Sequence, residues 1–245
     1  MKLLVLSCVF ILVAVLFPRT KLMGQVNQVD SVFYQSAVYN AIAFYQQSTQ
    51  DQPRIYNGRR YKPYRMGFLN GTPFYQSDLY TTGNVIYEDG VYENVKLLYD
   101  QVADMLILQG YFGIELISER VAQFTLYGHT FNRLVQDSVN NLPASGFYEK
   151  LYKGRIEILK KEKKIIKENL SDTEGVRGEI SGKIYYYLKK NGLYYLIKNQ
   201  RTVFELMKDR QSEIQHFMKS NNLNFKKDKE NTLTKIAGYY DQLTR

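Results

Sequence analysis

Residues 83–100, GNVIYEDGVYENVKLLYD, decide the fold. Residues 84–88 and 91–98 are rich in β-branched and aromatic side chains, and Asp89-Gly90 stands between them. That dipeptide suits a type I′ turn, which needs positive φ at both central positions and whose twist matches paired antiparallel strands. The stretch predicts a β-hairpin.

The same device recurs on both sides. Asn57-Gly58 separates residues 55–56 from 59–61, Gly154 separates 148–153 from 155–166, and Asn191-Gly192 separates 183–189 from 193–198. Residues 105–108, 114–117 and 121–127 read as further strands. No helix-length insertion lies between them to carry a parallel crossover, so about ten strands follow in antiparallel order. Residues 171–182 are rich in glycine and polar side chains and read as a loop. Apolar residues recur at three to four positions over 30–48, 202–220 and 228–244, which predicts helices, and Asn221-Asn222 separates the last two. The expected fold is α+β, mainly an antiparallel β meander with an N-terminal helix and a C-terminal αα-hairpin. Its expected divisions are 1–24 (leader), 25–53 (helix and linker), 54–200 (antiparallel β region) and 201–245 (helical hairpin).

The leader reads as a signal peptide. Met1-Lys2 is followed by fifteen uncharged residues, 3–17, and then Pro18. About 20 apolar residues are needed to span a bilayer, whereas a signal h-region runs about 7–15. Gly24-Gln25 is the expected cleavage point. An uncleaved anchor is the alternative, since Leu22 is large for a cleavage motif and Arg19 and Lys21 follow the apolar run. Cleavage removes Cys8, the only cysteine, so an exported chain has no disulfide and relies on a packed core. Residues 25–145 carry 8 basic and 11 acidic side chains, and residues 146–245 carry 22 and 13. A basic half is a solvated face or meets something anionic. For a chain that leaves the cytoplasm the partners are anionic glycan, lipid or an envelope protein, not nucleic acid.

Few residues point to chemistry. His129 and His216 are far apart in sequence, with no H-E-x-x-H and no Cys/His cluster, so no metal site is expected. No nucleotide or other cofactor motif is present, and Ser145 lies in no nucleophile elbow. Asp100 and Asp104 are the nearest approach to a carboxylate pair. Residues 54–65 pack five cations and three tyrosines into twelve positions. Arg59, Arg60, Tyr61, Lys62, Tyr64 and Arg65 are therefore the candidate ligand-binding residues, because guanidinium groups and tyrosine rings together grip anionic groups. The alternative is a ribbon whose tyrosines pack inward while its cations face water. Tyrosine numbers 22 and tryptophan is absent; tyrosine suits half-buried strands as well as sugar platforms.

Several motifs taken together carry a resemblance: Ile55-Tyr56-Asn57-Gly58 with Tyr61, residues 83–87 with Gly90, Tyr92, Asn94 and Val95, Leu98-Tyr99-Asp100, Gly146-Phe147-Tyr148 with Leu151, Tyr152 and Gly154, and residues 236–241. The chain resembles a group of uncharacterised exported proteins of Bacteroidota-type bacteria. The resemblance implies a place in the periplasm or at the cell surface and brings no activity, ligand or catalytic residue. The expected function is a non-enzymatic structural or interaction role in the cell envelope. A binding module for anionic glycan or lipid headgroups is the alternative, and an envelope hydrolase, marked by a deep pocket at Asp100 or His129, is another.

Overall fold

The computed structural model describes residues 54–88, 90–171 and 175–244. The leader and the helix expected over 30–48 lie outside the described residues.

The 83–100 hairpin forms, with β3 (Thr81–Tyr87) antiparallel to β4 (Gly90–Asp100). Its turn sits one residue early. Tyr87 pairs with Gly90, and Glu88 takes the positive φ, so Gly90 opens the second strand. Beyond β4 the sheet continues through β5 (Met105–Leu108) and β6 (Ile114–Glu115) to β1 (Arg59–Arg60). From the other edge of β3 it runs through β7 (Val121–Leu126), β8 (His129–Leu134), β9 (Gly146–Lys153), β10 (Glu157–Ser171), β11 (Gly175–Lys190) and β12 (Leu193–Leu196).

A twelfth strand corrects the expected fold class. β2 (Gly67–Asn70) pairs with β11 in parallel, so the sheet is mixed and is not an antiparallel meander. β2 is four residues without alternation, and it becomes a strand because β11 has an open edge at Arg177 to Glu179. The expected loop over 171–182 is also corrected: β11 runs through it from Gly175.

Connectivity forces the sheet to curl. β1 and β11 stand nine strands apart, about 43 Å in a flat sheet at about 4.8 Å per strand. Yet β2, which starts seven residues after β1 ends, reaches β11, a span of about 25 Å at most. Contacts across the curl agree. The backbone N–H of Lys164 on β10 donates to Gln101 O at 3.3 Å, beside the β4–β5 turn. The Gln101 side-chain amide meets Glu162 at 3.2 Å, and Lys164 Nζ donates to the carbonyls of Thr72 and Phe74 at 3.0 and 2.6 Å.

Inside the curl lies an aromatic core. Phe124 and Phe131 stack at 4.7 Å; Tyr99 meets them at 5.1 and 5.3 Å, and Phe147 meets Phe124 edge-on at 5.1 Å and Tyr99 at 5.9 Å. A second core joins β10, β11 and the chain around Ile197 to the C-terminal helices. There are three of these, α1 (Gln200–Leu206), α2 (Gln211–Ser220) and α3 (Lys229–Leu243), which corrects the two-helix hairpin. The helix expected over 202–220 breaks at a 3₁₀ turn, Lys208–Arg210. There Asp209 is drawn out to accept the Tyr240 hydroxyl at 3.0 Å and to pair with Lys190. Asn199 and Asp228 cap α1 and α3 by accepting from the N–H groups of Thr202 and Asn231. No helix among the described residues is long and apolar enough to cross a membrane, which says nothing about strands.

Two glycines separate two kinds of turn. Asn191 and Gly192 both have positive φ, 52° and 82°, as the type I′ reading of the β11–β12 hairpin requires. Asn57-Gly58 makes no hairpin. It follows a 3₁₀ turn, Arg54–Tyr56, and leads into β1, which pairs with β6. Gly58 is needed there for close approach, since a Cβ would stand 2.3 Å from Glu115 O.

Candidate functional site: an aromatic bowl beneath the basic ribbon

After β1 the chain turns inward at Tyr61, which is 8% exposed, and passes Pro63 and Tyr64 before reaching β2. The returning segment brings Phe68 and Phe74 alongside, and Tyr64 meets them edge-on at 5.7 and 6.4 Å. Opposite, the loop between β5 and β6 carries Tyr111 and Phe112 between two glycines. Their rings lie 4.4 Å apart and nearly perpendicular. Tyr111 is 93% exposed and Phe112 54%. With Tyr80 on one wall and Leu98 at the back, these side chains enclose a bowl of about 460 Å³. That lies within the range of about 300–1,000 Å³ usual for small-molecule sites.

Hydroxyls and one carboxylate organise the floor. Asp100 is buried and accepts the Tyr64 hydroxyl at 2.8 Å and the backbone N–H groups of Val102 and Ala103 at 2.9 Å each. Burial first, then the bond to Asp100 and its charge, hold the Tyr64 phenol well above its ordinary pKa. The Tyr61 phenol is raised too, by burial first and then by the charge of Asp100. The Tyr61 hydroxyl is buried and has no hydrogen-bond partner among the described residues. An unpaired buried hydroxyl costs about 1–3 kcal/mol, and this one is sealed behind the surface of the bowl.

The six ribbon residues divide. Arg59 is exposed and spends its charge on Glu115, at 3.6 Å. Arg60 lies over the Phe112 ring, 3.7 Å from guanidinium carbon to centroid, a cation–π contact at the mouth of the bowl. Tyr61 and Tyr64 line the bowl. Lys62 and Arg65 are exposed and carry no ion pair among the described residues. Tyr61 and Tyr64 turn inward while Tyr56 and the cations face out, and the space beside the two inward tyrosines is hollow. Sequence reasoning missed Tyr80, Tyr111, Phe112, Phe68 and Phe74. Gly110-Tyr111-Phe112-Gly113 was the available signal, because adjacent large aromatics between glycines have no alternation that could bury both.

The suspected carboxylate pair is two separate structural joints. Asp104 accepts from the Tyr99 hydroxyl at 2.6 Å and the Phe147 N–H at 3.3 Å and pairs with Lys161 of β10. His129, expected in a tight turn, opens β8 directly after the Tyr127-Gly128 turn. It borders a cleft of about 600 Å³ that reaches the start of α3. Its Nδ1 lies 2.5 Å from Glu149, which is 3% exposed, and Lys160 bridges Glu149 and Glu230 at 3.1 and 2.8 Å. This chain of polar contacts ties three strands to α3. His216 lies on α2 against Ser220, at 3.5 Å. Among the described residues, no three His, Cys, Asp or Glu side chains are grouped to hold a metal ion.

No family model, curated protein or solved structure matches the chain.

Proposed function

We propose that this is an exported cell-envelope protein that acts by binding rather than by catalysis, and that the aromatic bowl is its contact surface. The observation that carries the reading is the pair Tyr111 and Phe112. Two large aromatic rings stand exposed beside a hollow lined by further aromatic side chains. Aromatic side chains are the usual anchors of contact surfaces, and their display in water is unfavourable unless something covers them. The polar chain from His129 to Glu230 fits a joint better than a catalytic centre, because its members are spent on one another and on holding α3.

The test is retention on isolated envelope material. Wild-type protein is expected to be retained, and the double variant Tyr111→Ser/Phe112→Ser to pass through with its circular dichroism unchanged. Equal retention of the two would overturn the reading.

A further inference from the structure

We propose that the bowl receives a sugar ring bearing an acidic group, presented by an anionic polysaccharide; this rests on the bowl being the contact surface. A pyranose offers flat C–H faces and a rim of hydroxyls, and the bowl is built to that complement. The rings of Tyr80, Tyr111 and Phe112 supply apolar walls. Gln109 and Asp78 on the walls can hydrogen-bond the sugar hydroxyls.

The acidic group is read from the mouth. Arg60 rests its planar face on Phe112, which fixes the guanidinium and leaves its N–H edge to make paired hydrogen bonds to a carboxylate. Lys62 and Arg65 flank Pro63 and Tyr64 of the lining and carry no competing ion pair among the described residues. Arg59 contributes less, because the charge of Glu115 beside it offsets its own.

A lipid surface fits less well. A bilayer is broad and meets protruding side chains, whereas Tyr61, Tyr64, Phe68, Phe74 and Tyr80 are buried or half-buried in a concavity. Of the aromatic lining, Tyr111 and Phe112 are the strongly exposed members.

Titration of the full chain with three probes decides the matter: tetragalacturonate, neutral maltotetraose and phosphatidylglycerol vesicles. The acidic tetrasaccharide is expected to bind most tightly and to weaken as salt is raised, since exposed charges are screened over about 8–10 Å at physiological ionic strength. Arg60→Gln/Lys62→Gln/Arg65→Gln should bind it about tenfold more weakly, the sum of three modest exposed contacts. Tyr111→Ser/Phe112→Ser, which removes the exposed rings of the bowl, should weaken both sugars alike. Equal, salt-insensitive binding of acidic and neutral sugars would overturn the acidic assignment. Stronger binding to vesicles, or no binding to either sugar, would overturn the sugar assignment. If neither sugar binds while retention on envelope material still depends on Tyr111 and Phe112, the bowl remains the contact surface and only its proposed occupant falls.

Discussion

Replacing Lys160 by methionine tests the joint between sheet and helices. Lys160 is 13% exposed at its side chain and touches Glu149, 3% exposed, and Glu230, 35% exposed. Burial pulls its pKa down, but the hydrogen bonds and charges of Glu230 and Glu149 outweigh that and hold it above the usual lysine value. Methionine keeps an apolar stem of similar length and leaves Glu149 with His129 alone. Removing one partner of a buried ion pair costs about 3–5 kcal/mol, and the remaining bond to His129 and the wetter Glu230 reduce this to about 2–3 kcal/mol. At about 2–4 °C per kcal/mol for a domain of this size, Tm should fall by about 4–12 °C. The sign with pH follows from the raised folded-state pKa. The contribution of Lys160 is complete below its unfolded value of about 10.4 and is lost as pH rises through the folded value, so melts at pH 7 measure it whole. Thermal unfolding followed by circular dichroism, with Glu149→Gln/Lys160→Met as companion, is the assay. The double variant should recover part of the loss, because no buried charge is left alone. A fall below about 1 °C, well under the shift of a single kcal/mol, or a double variant worse than the single, would refute the joint.

The two turn glycines should respond differently. Gly192→Ala places a Cβ at positive φ but in open space, so it should cost about 1 kcal/mol, read as a shift in the urea midpoint. Gly58→Ala drives a Cβ into backbone at Glu115 and should cost more; a smaller shift than at Gly192 would contradict the packing of β1 on β6. Alkaline titration should find tyrosines that stay un-ionised in the fold. Burial, then the nearby charge of Glu149, pushes Tyr75 up to about 12, and burial holds Tyr99 well above its ordinary value. Because these folded-state values exceed the unfolded value of about 10, stability is whole below pH 10 and declines above it. Phenolate absorbance should therefore rise in two stages, the second together with unfolding. A single stage near pH 10 would remove these side chains from the core.

What the sequence made legible was local. Asn191-Gly192 announced its turn because two positive φ values in succession restrict the residue types severely. The 83–100 hairpin was found but its loop was displaced by a residue, since strand residues on either side of Glu88 look alike. β2 and the curl were illegible. Gly67-Phe68-Leu69-Asn70 is a strand only because β11 offers it an edge more than a hundred positions later. The candidate site shows the same division. Tyr61, Tyr64 and the cations stood out as a cluster in one stretch, whereas Tyr80, Tyr111 and Phe112 join them only through the order of strands in the sheet. The chain linking His129, Glu149, Lys160 and Glu230 spans four elements and has no sequence spacing to betray it.

The most direct measurement on the bowl is nuclear magnetic resonance of the protein with ring-labelled tyrosine, titrated with tetragalacturonate and with envelope polysaccharide. The resonances of Tyr61, Tyr64, Tyr80 and Tyr111 should move together and saturate together, while core tyrosines such as Tyr99 and Tyr148 stay fixed. Saturable shifts confined to tyrosines outside the bowl, or no saturable shift with either titrant, would contradict the account.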